Sequence, residues 1–460
     1  MKKNNYNGNV LVTDPDVIAT NQQLEKTFLK SMSEYLIKSN AIDESLYGKY
    51  DVKRGLRDAN GTGVVVGLTK IGDVQGYEVN EKNEKVPIDG KLYYRGIDVE
   101  EIVNNCLKDD RFGYEETSYL LLFGKLPNQK ELDEYKKVIG TKRELPVGFA
   151  RDMILTAPSK NIMNKLARSV LALYSYDENP DDISVANVLR QSLNLIGYFP
   201  SLIAYGYQAK RSYYDNQSLH IHYPDPELST AENILRLIRP TGEYTDLAEH
   251  GGGNNSTFTI HVVSSTATDT YSAIAAAVGS LKGPKHGGAN VEVLEMIADI
   301  KKNVKDISNY KEVENYLVKI LRGEANDGSG LIYGLGHAVY TVSDPRAKLL
   351  KNMAKKLAED KDLMDDFMLC DFIENRAPYL FMEVKGTKKP MPANVDLYSG
   401  FVYNALNIPI EMATPLFACA RLSGWCAHRI EELVAGGRIM RPAYQCVQPL
   451  TKYVPLAERE

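Results

Sequence analysis

The chain has 460 residues, 43% hydrophobic and 25% charged, with a formal net charge of −5. That length allows about three domains, and the composition excludes disorder and gives no electrostatic reason for nucleic acid or an anionic membrane as the main partner. The five cysteines, Cys106, Cys370, Cys419, Cys426 and Cys446, form no CxxC pair, and an odd number suits reduced thiols rather than a disulfide framework.

The opening MKKNNYNGNVLVTD has two lysines but no following apolar stretch and no arginines, so neither a secretory signal nor a transit peptide is expected, and the reading is cytoplasmic. The first strand-like stretch, GTGVVVGLTKIGDVQGY, precedes IDGKLYYRG, whose Asp89-Gly90 pair predicts a turn; small hairpins are expected between Gly61 and Gly96. Helix punctuation dominates the remainder. Asn128 and Glu131 match a capping box after Pro127, with Gly140 as the stop. Ile183, Val185, Val188, Leu189, Leu193 and Ile196 lie at helical spacing between Pro180 and Gly197. The following SLHIHYPDPE reads as a polar loop. If extended, it would put His220 and His222 on one side with Asp225 and Glu227 nearby, a feature of metal-dependent hydrolases. Asp269 or Thr270 begins an alanine-rich helix that Gly283 and Pro284 end; Ala289, Val293, Ile297 and Ile300 form one face of the next helix. The apolar region from Phe401 to Trp425 is interrupted by Asn404, Asn407, Pro409, Glu411, Pro415 and Arg421, which argues against a membrane span. Phosphate-loop, HExxH and strand-to-helix GxGxxG motifs are all missing. The expected fold is mainly α.

Three of the seven histidines sit in glycine-rich turns: His250 in EHGGGNNSTF, His286 in GPKHGGAN and His337 in YGLGHAVY. Their spacing does not suit a metal, so acid/base or hydrogen-bonding work is favoured. A helix N-terminus beside His286 would keep its imidazole neutral, able to donate a hydrogen bond to a carbonyl. Ser343 or Asp344 caps a helix with Pro345 at its first position, which puts Arg346 in the first turn. A cation there opposes the helix dipole at a cost of roughly 0.3–1 kcal/mol, which either an anionic ligand or a pair with Asp344 offsets. Arg421 has Phe417, Ala418, Gly424 and Trp425 as helical neighbours, and a guanidinium on so apolar a face needs an anion, whether a ligand or an internal carboxylate. Asp396, in NVDLYSG, stands just before a helical pattern, where N-capping and general-base roles both fit. Arg441, in GRIMRPAY, is ambiguous alone.

Together EHGGGNNSTFT, GPKHGGAN, GLGHAVYTVSDPRA, NVDLYSG and ARLSGW resemble the citrate synthase family, in that family's order. KLYYRGIDVEEI and YLLLFGKLP also look like family segments, so the resemblance runs from about Gly55 to the C-terminus. It implies a two-domain helical fold with residues 1–54 as an N-terminal extension, 55–288 plus 405–460 as a large domain and 289–404 as a small one. It also implies a homodimer, an active site in the cleft between the domains, and closure of the small domain after oxaloacetate binds. The activity implied is that of a carbon–carbon bond-forming acyltransferase (Si-type citrate synthase) at the entry to the tricarboxylic acid cycle, condensing acetyl-CoA with oxaloacetate. Acetyl-CoA is then a substrate, and no cofactor and no metal are expected. Carried over by motif, Asp396 is the base for the methyl proton, His286 the donor to the thioester oxygen, and His337 the group on the oxaloacetate carbonyl. His250, Arg346 and Arg421 match oxaloacetate-binding positions, and Arg441 matches an arginine that reaches the partner's site. Glu249, Lys285 and Leu397 depart from the commoner family residues without removing a catalytic side chain. Thr341 stands where relatives often have a basic residue for the CoA phosphates, which leaves Lys388 and Lys389 as weak substitutes. The same machinery serves 2-methylcitrate synthase, which uses propionyl-CoA. The metal-dependent hydrolase on His220 and His222 and a non-enzymatic helical scaffold are the remaining readings.

Overall fold

The computed structural model describes residues 15–58, 63–81, 84–240, 254–337, 339–387, 391–449, 453, 455 and 456. The chain divides into two compact units, Met1–Leu68 with Pro442–Glu460, and Thr69–Arg441. In the first lie α1 (Pro15–Asn40) and α2 (Ser45–Lys49). The second opens with β1 (Gly72–Val79), β2 (Lys85–Tyr94) and β3 (Ile97–Asp98), followed by α3 (Val99–Lys108), α4 (Tyr114–Phe123), α5 (Gln129–Thr141), α6 (Ile162–Leu173), α7 (Val185–Tyr214) and α8 (Thr230–Ile238). Then come α9 (Asn255–Ser264), α10 (Thr270–Lys282), α11 (Ala289–Asn303), α12 (Tyr310–Leu321), α13 (Pro345–Asp360), α14 (Met364–Lys385), α15 (Val395–Ala405) and α16 (Ala413–Ala435). The fold is mainly α, as its helix punctuation predicts.

The helix starts follow their caps. Asn128 and Glu131 form the expected capping box, and Ser229 with Glu232 forms a second at the start of α8. Two of the expected stops give way to packing instead. Gly140 lies inside the last turn of α5, and α7 runs 30 residues through both Gly197 and Pro200. A Cβ at Gly140 would collide with the Pro226 carbonyl, and one at Gly197 with the Lys142 carbonyl. These glycines therefore allow close approach of neighbouring backbone rather than ending helices. Along α7, Leu195, Phe199, Leu202 and Ile203 are fully buried, and burying each such side chain stabilises the fold by about 1.5–3 kcal/mol.

The hairpin also differs from expectation. β1 pairs antiparallel with β2 from Gly72↔Tyr94 to Val79↔Lys85, with a register shift between Gln75 and Tyr77, and β3 returns along β2 through Tyr94↔Ile97. The reversal lies at Asn80 to Glu84, where the Asn80 N–H donates to the Glu84 carbonyl at 2.9 Å. Asp89 and Gly90 lie within β2, and Val64 to Leu68 form no strand. Asp89 instead accepts from Ser343 Oγ at 2.7 Å and from Lys348 Nζ at 3.1 Å.

Four cysteines are buried free thiols and Cys446 is exposed. Among the described residues no helix is long and apolar enough to cross a membrane. The buried Arg429 of α16 donates to Thr270 Oγ1 at 3.1 Å, Ser264 Oγ at 3.2 Å and the Thr268 carbonyl at 2.6 Å, tying α16 to the corner between α9 and α10. α16 also carries the predicted site residue Arg421.

Candidate active site

His337 stands in a loop and Asp396 in the first turn of α15, and hydrogen bonds join that loop to the segment entering α15. Asn394 N–H donates to the Gly334 carbonyl at 2.9 Å, Gly336 N–H to the Pro392 carbonyl at 2.7 Å, and Asn394 Nδ2 to the Gly336 carbonyl at 3.0 Å. The His337 loop is also pressed against the sheet. A Cβ at Gly76 would collide with the Val339 carbonyl, and one at Gly90 with the Ser343 carbonyl and the Tyr340 ring. Asp89-Gly90 is thus a docking place for this loop, which explains why a turn-like pair stands inside a strand.

Within the loop, His337 Nδ1 accepts from the backbone N–H groups of Val339 and Tyr340, each at 3.1 Å. In the neutral ring, Nε2 must then carry the proton. Arg346 Nη2 lies 3.3 Å from that same Nε2. Two donors thus converge at one point, a setting that suits a carbonyl or carboxylate oxygen. Tyr340 stacks on His337 at 4.5 Å between ring centroids. Asp344 caps α13 with Pro345 in its first turn, as the sequence suggests. Its carboxylate holds Arg346 in a fork, accepting from Nε at 3.0 Å and from Nη2 at 2.8 Å. Burial alone would lower the Arg346 pKa, but Asp344 raises it above the ordinary guanidinium value. The local pair foreseen with Asp344 therefore exists, and it aims the remaining face of the fork at His337.

Asp396 is not the cap of α15. Asn394 takes that place, accepting from the Asp396 N–H at 3.0 Å, which leaves the Asp396 carboxylate free for other work. The residue is half-buried. Burial, the largest influence, pushes its carboxyl up to about 6 against the pull of Arg346 and Arg421.

His286 lies between α10 and α11, with its N–H donating to the Gly283 carbonyl at 2.9 Å. Nε2 faces the first turn of α9, 3.4 Å from the Ser256 N–H and 3.3 Å from Ser256 Oγ. A backbone N–H can only donate, so Nε2 accepts and Nδ1 carries the proton of the neutral ring. Burial, and secondarily the Arg421 cation, hold the imidazole down at about 4. In an NMR pH titration the His286 ring signals are expected to stay those of the neutral form from neutral pH down to about pH 5; a cationic ring at neutral pH would refute this assignment. The expected helix end is present, but it belongs to α9 rather than α11.

Arg421 is the cation shared by these groups. Its guanidinium carbon is 5.6 Å from the Phe417 ring centroid, and buried Nη1 has no hydrogen-bond partner among the described residues. Burial and then the like charge of Arg346 push its pKa down to about 10, while Asp396 acts in the opposite sense. Arg346, Arg421, Asp396, His286 and His337 are thereby brought into one group. It combines two guanidinium forks, a weakly acidic carboxyl and two oriented imidazoles.

Of the other predicted residues, His250, Lys388 and Lys389 lie outside the described residues. Arg441 is exposed beyond α16 and makes no ion pair with any described residue. His222 Nε2 is 3.1 Å from the Pro240 carbonyl, and Asp225 Oδ1 accepts from the Glu227 N–H at 3.0 Å. Among the described residues no ion-binding group includes His220 or His222. Ser256 and Asn394 went unforeseen as positioning residues. Asn254, which caps α9 two residues before Ser256, was the available signal for the first; Asn394, adjoining a helical pattern, was the signal for the second.

The family model described as "Citrate synthase, C-terminal domain" matches residues 60–443. The chain is 34% identical over 389 residues to a citrate synthase of Synechocystis sp., covering 81% of this chain and 89% of that one. It is 31% identical over 381 residues to a 2-methylcitrate synthase of Shewanella oneidensis, covering 80% and 92% respectively. Among solved structures, a citrate synthase from Thermotoga maritima aligns with a TM-score of 0.68 and 29% identity, covering 89% of this chain and 99% of that one. A Thermoplasma acidophilum citrate synthase, in ternary complex with carboxymethyl coenzyme A and oxaloacetate, aligns with a TM-score of 0.70 and 27% identity, over the same shares. The chain belongs to the citrate synthase family.

Proposed function

We propose that this protein is a citrate synthase, condensing acetyl-CoA with oxaloacetate and water to give citrate and CoA at the entry to the tricarboxylic acid cycle. The observation that carries this reading is the Arg421 guanidinium, whose buried Nη1 has no partner among the described residues and which acts on both the Asp396 carboxyl and the His286 imidazole. Such a cation suits a substrate carboxylate, and with Arg346 it provides two planar forks for a dicarboxylate. Asp396 takes a methyl proton from acetyl-CoA while His286 Nδ1–H donates to the thioester oxygen as enolate charge develops. A carboxylate with a pKa of about 6 is a better base than an ordinary aspartate but still weak for a carbon acid, so stabilisation of the oxyanion must lower the barrier. His337 Nε2–H donates to the oxaloacetate carbonyl and supplies a proton as the new carbon–carbon bond forms. Hydrolysis of citryl-CoA then releases citrate and CoA.

The same reading gives His250 to oxaloacetate, Lys388 and Lys389 to the CoA phosphates, and Arg441 to the site of a partner in a homodimer. It places the protein in the cytoplasm and requires no cofactor. The small domain at 289–404 is supported by packing: α11 lies on α15, α12 on α14, and α13 on both α14 and α15. Both crossings fall at helix ends, since α11 begins at Ala289 and α15 ends at Ala405. Closure of this domain on oxaloacetate would bring Arg346 towards Arg421 around one anion.

Propionyl-CoA is the second reading, favoured by the likeness to a 2-methylcitrate synthase. One methylene changes discrimination by about 1–3 kcal/mol, which a shared motif does not reveal. CoA release measured with each thioester, with and without oxaloacetate, is expected to be oxaloacetate-dependent and faster with acetyl-CoA. Faster release with propionyl-CoA assigns the second activity, and no release with either removes the synthase reading.

A further inference from the structure

α9 and α16 meet at a second group of titratable side chains, which the condensation does not use. His261 Nε2 lies 3.0 Å from His428 Nδ1, and Glu431 Oε2 lies 3.8 Å from the same Nδ1. One ligand atom from each residue lies within 4.8 Å of the others. His428 and Glu431 are three positions apart and so share a face of α16, while His261 comes from α9. Glu431 Oε1 is taken by the Lys70 N–H at 2.7 Å, whereas buried Oε2 has no hydrogen-bond partner among the described residues. Behind His261, Nδ1 lies 2.8 Å from Glu432 Oε2. The carboxylate draws the ring proton to Nδ1 and leaves the Nε2 lone pair directed at the group. A carboxylate behind an imidazole is the arrangement that orients histidine ligands of metal ions.

We propose that His261, His428 and Glu431 form a binding site for a divalent transition-metal ion of the zinc type, with Glu432 as the positioning residue behind His261. Two imidazole nitrogens and one carboxylate oxygen are a donor set that zinc accepts, with water completing a tetrahedron. Bonds of about 2.0–2.1 Å from one ion bring two nitrogens to roughly 3.0–3.4 Å apart, and the 3.0 Å between His261 Nε2 and His428 Nδ1 falls in that span. Arg95 adds a positive charge near Glu431 and His428, but its guanidinium is anchored on the Leu121 carbonyl at 2.7 and 3.0 Å. The Glu431 and Glu432 carboxylates together outweigh it. A bound ion would brace α9, which carries Ser256 behind His286, against α16, which carries Arg421. The pattern is invisible in the sequence because 167 residues separate the two histidines.

Metal-free full-length protein, incubated with excess zinc or cobalt(II) and freed of unbound ion by gel filtration, is expected to retain about one ion per chain, and the cobalt form to show visible ligand-field bands. His261→Ala and Glu431→Gln are expected to abolish retention. Glu432→Gln is expected to weaken it about 10- to 100-fold while leaving the cobalt spectrum in place. CoA release by the metal-free protein should persist, which separates this site from the condensation reading. Failure of the parent protein to retain either ion, or undiminished retention by Glu431→Gln, overturns the proposal. Glu431→Gln preserves side-chain shape and the Lys70 contact, so it serves if His261→Ala does not fold.

Discussion

Replacing Arg421 by leucine is expected to raise the melting temperature and, in the same molecule, to abolish tight binding of oxaloacetate. The two effects have opposite signs because the guanidinium is unsatisfied without an anion. Its Nη1 is buried with no hydrogen-bond partner among the described residues, and the like charge of Arg346 adds to the cost. An unsatisfied buried donor costs about 1–3 kcal/mol, and leucine removes that cost while packing against Phe417. Loss of a buried charge-assisted pair with substrate costs about 2–5 kcal/mol, so the KM for oxaloacetate should rise from about 30-fold to several thousand-fold. Steady-state kinetics and thermal melting on one preparation provide the check. A lower melting temperature with an unchanged KM would instead make Arg421 half of an internal salt bridge.

Asp396→Asn is expected to lower kcat about 10²- to 10⁴-fold, the range for removing a positioned general base, with the fold retained. The unsubstituted protein should lose activity as pH falls through about 6 or somewhat higher, since the negative charges of bound oxaloacetate raise the carboxyl further. The variant's residual rate should lack that acid limb. Stability carries its own sign. The folded pKa of about 6 lies above the reference value of 3.8, so the contribution of the protonated carboxyl is complete below pH 3.8 and is lost as pH rises through 6. Asparagine does not ionise, and the variant should therefore melt higher than the parent at neutral pH. An acid limb that persists in Asp396→Asn would assign the titration to another group.

Local signals in the sequence were reliable where one turn of chain suffices. The Asn128–Glu131 box, Asp269 before α10 and Asp344-Pro345 before α13 each contain both partners of the interaction that starts the helix. Glycine was ambiguous, because a missing Cβ serves a special backbone angle and a close neighbour equally well. Gly140, Gly197 and Gly90 look like stops or a turn in the sequence, and all three accommodate distant backbone. Asp396 was seen, but its freedom depended on Asn394 taking the cap. The placing of Ser256 behind His286 has no local signal, because 30 residues separate donor and acceptor.

The hydrogen bonds that zip Gly334 and Gly336 to Pro392 and Asn394 have a consequence for motion. His337 and Asp396 are fixed to one another, with Arg346 held beside His337, whereas His286 and Arg421 belong to the other side of the proposed division. On that division the five side chains would fall into two groups. Closing the site would then be a single alignment between the two groups, with tolerance to error set at one joint rather than at five.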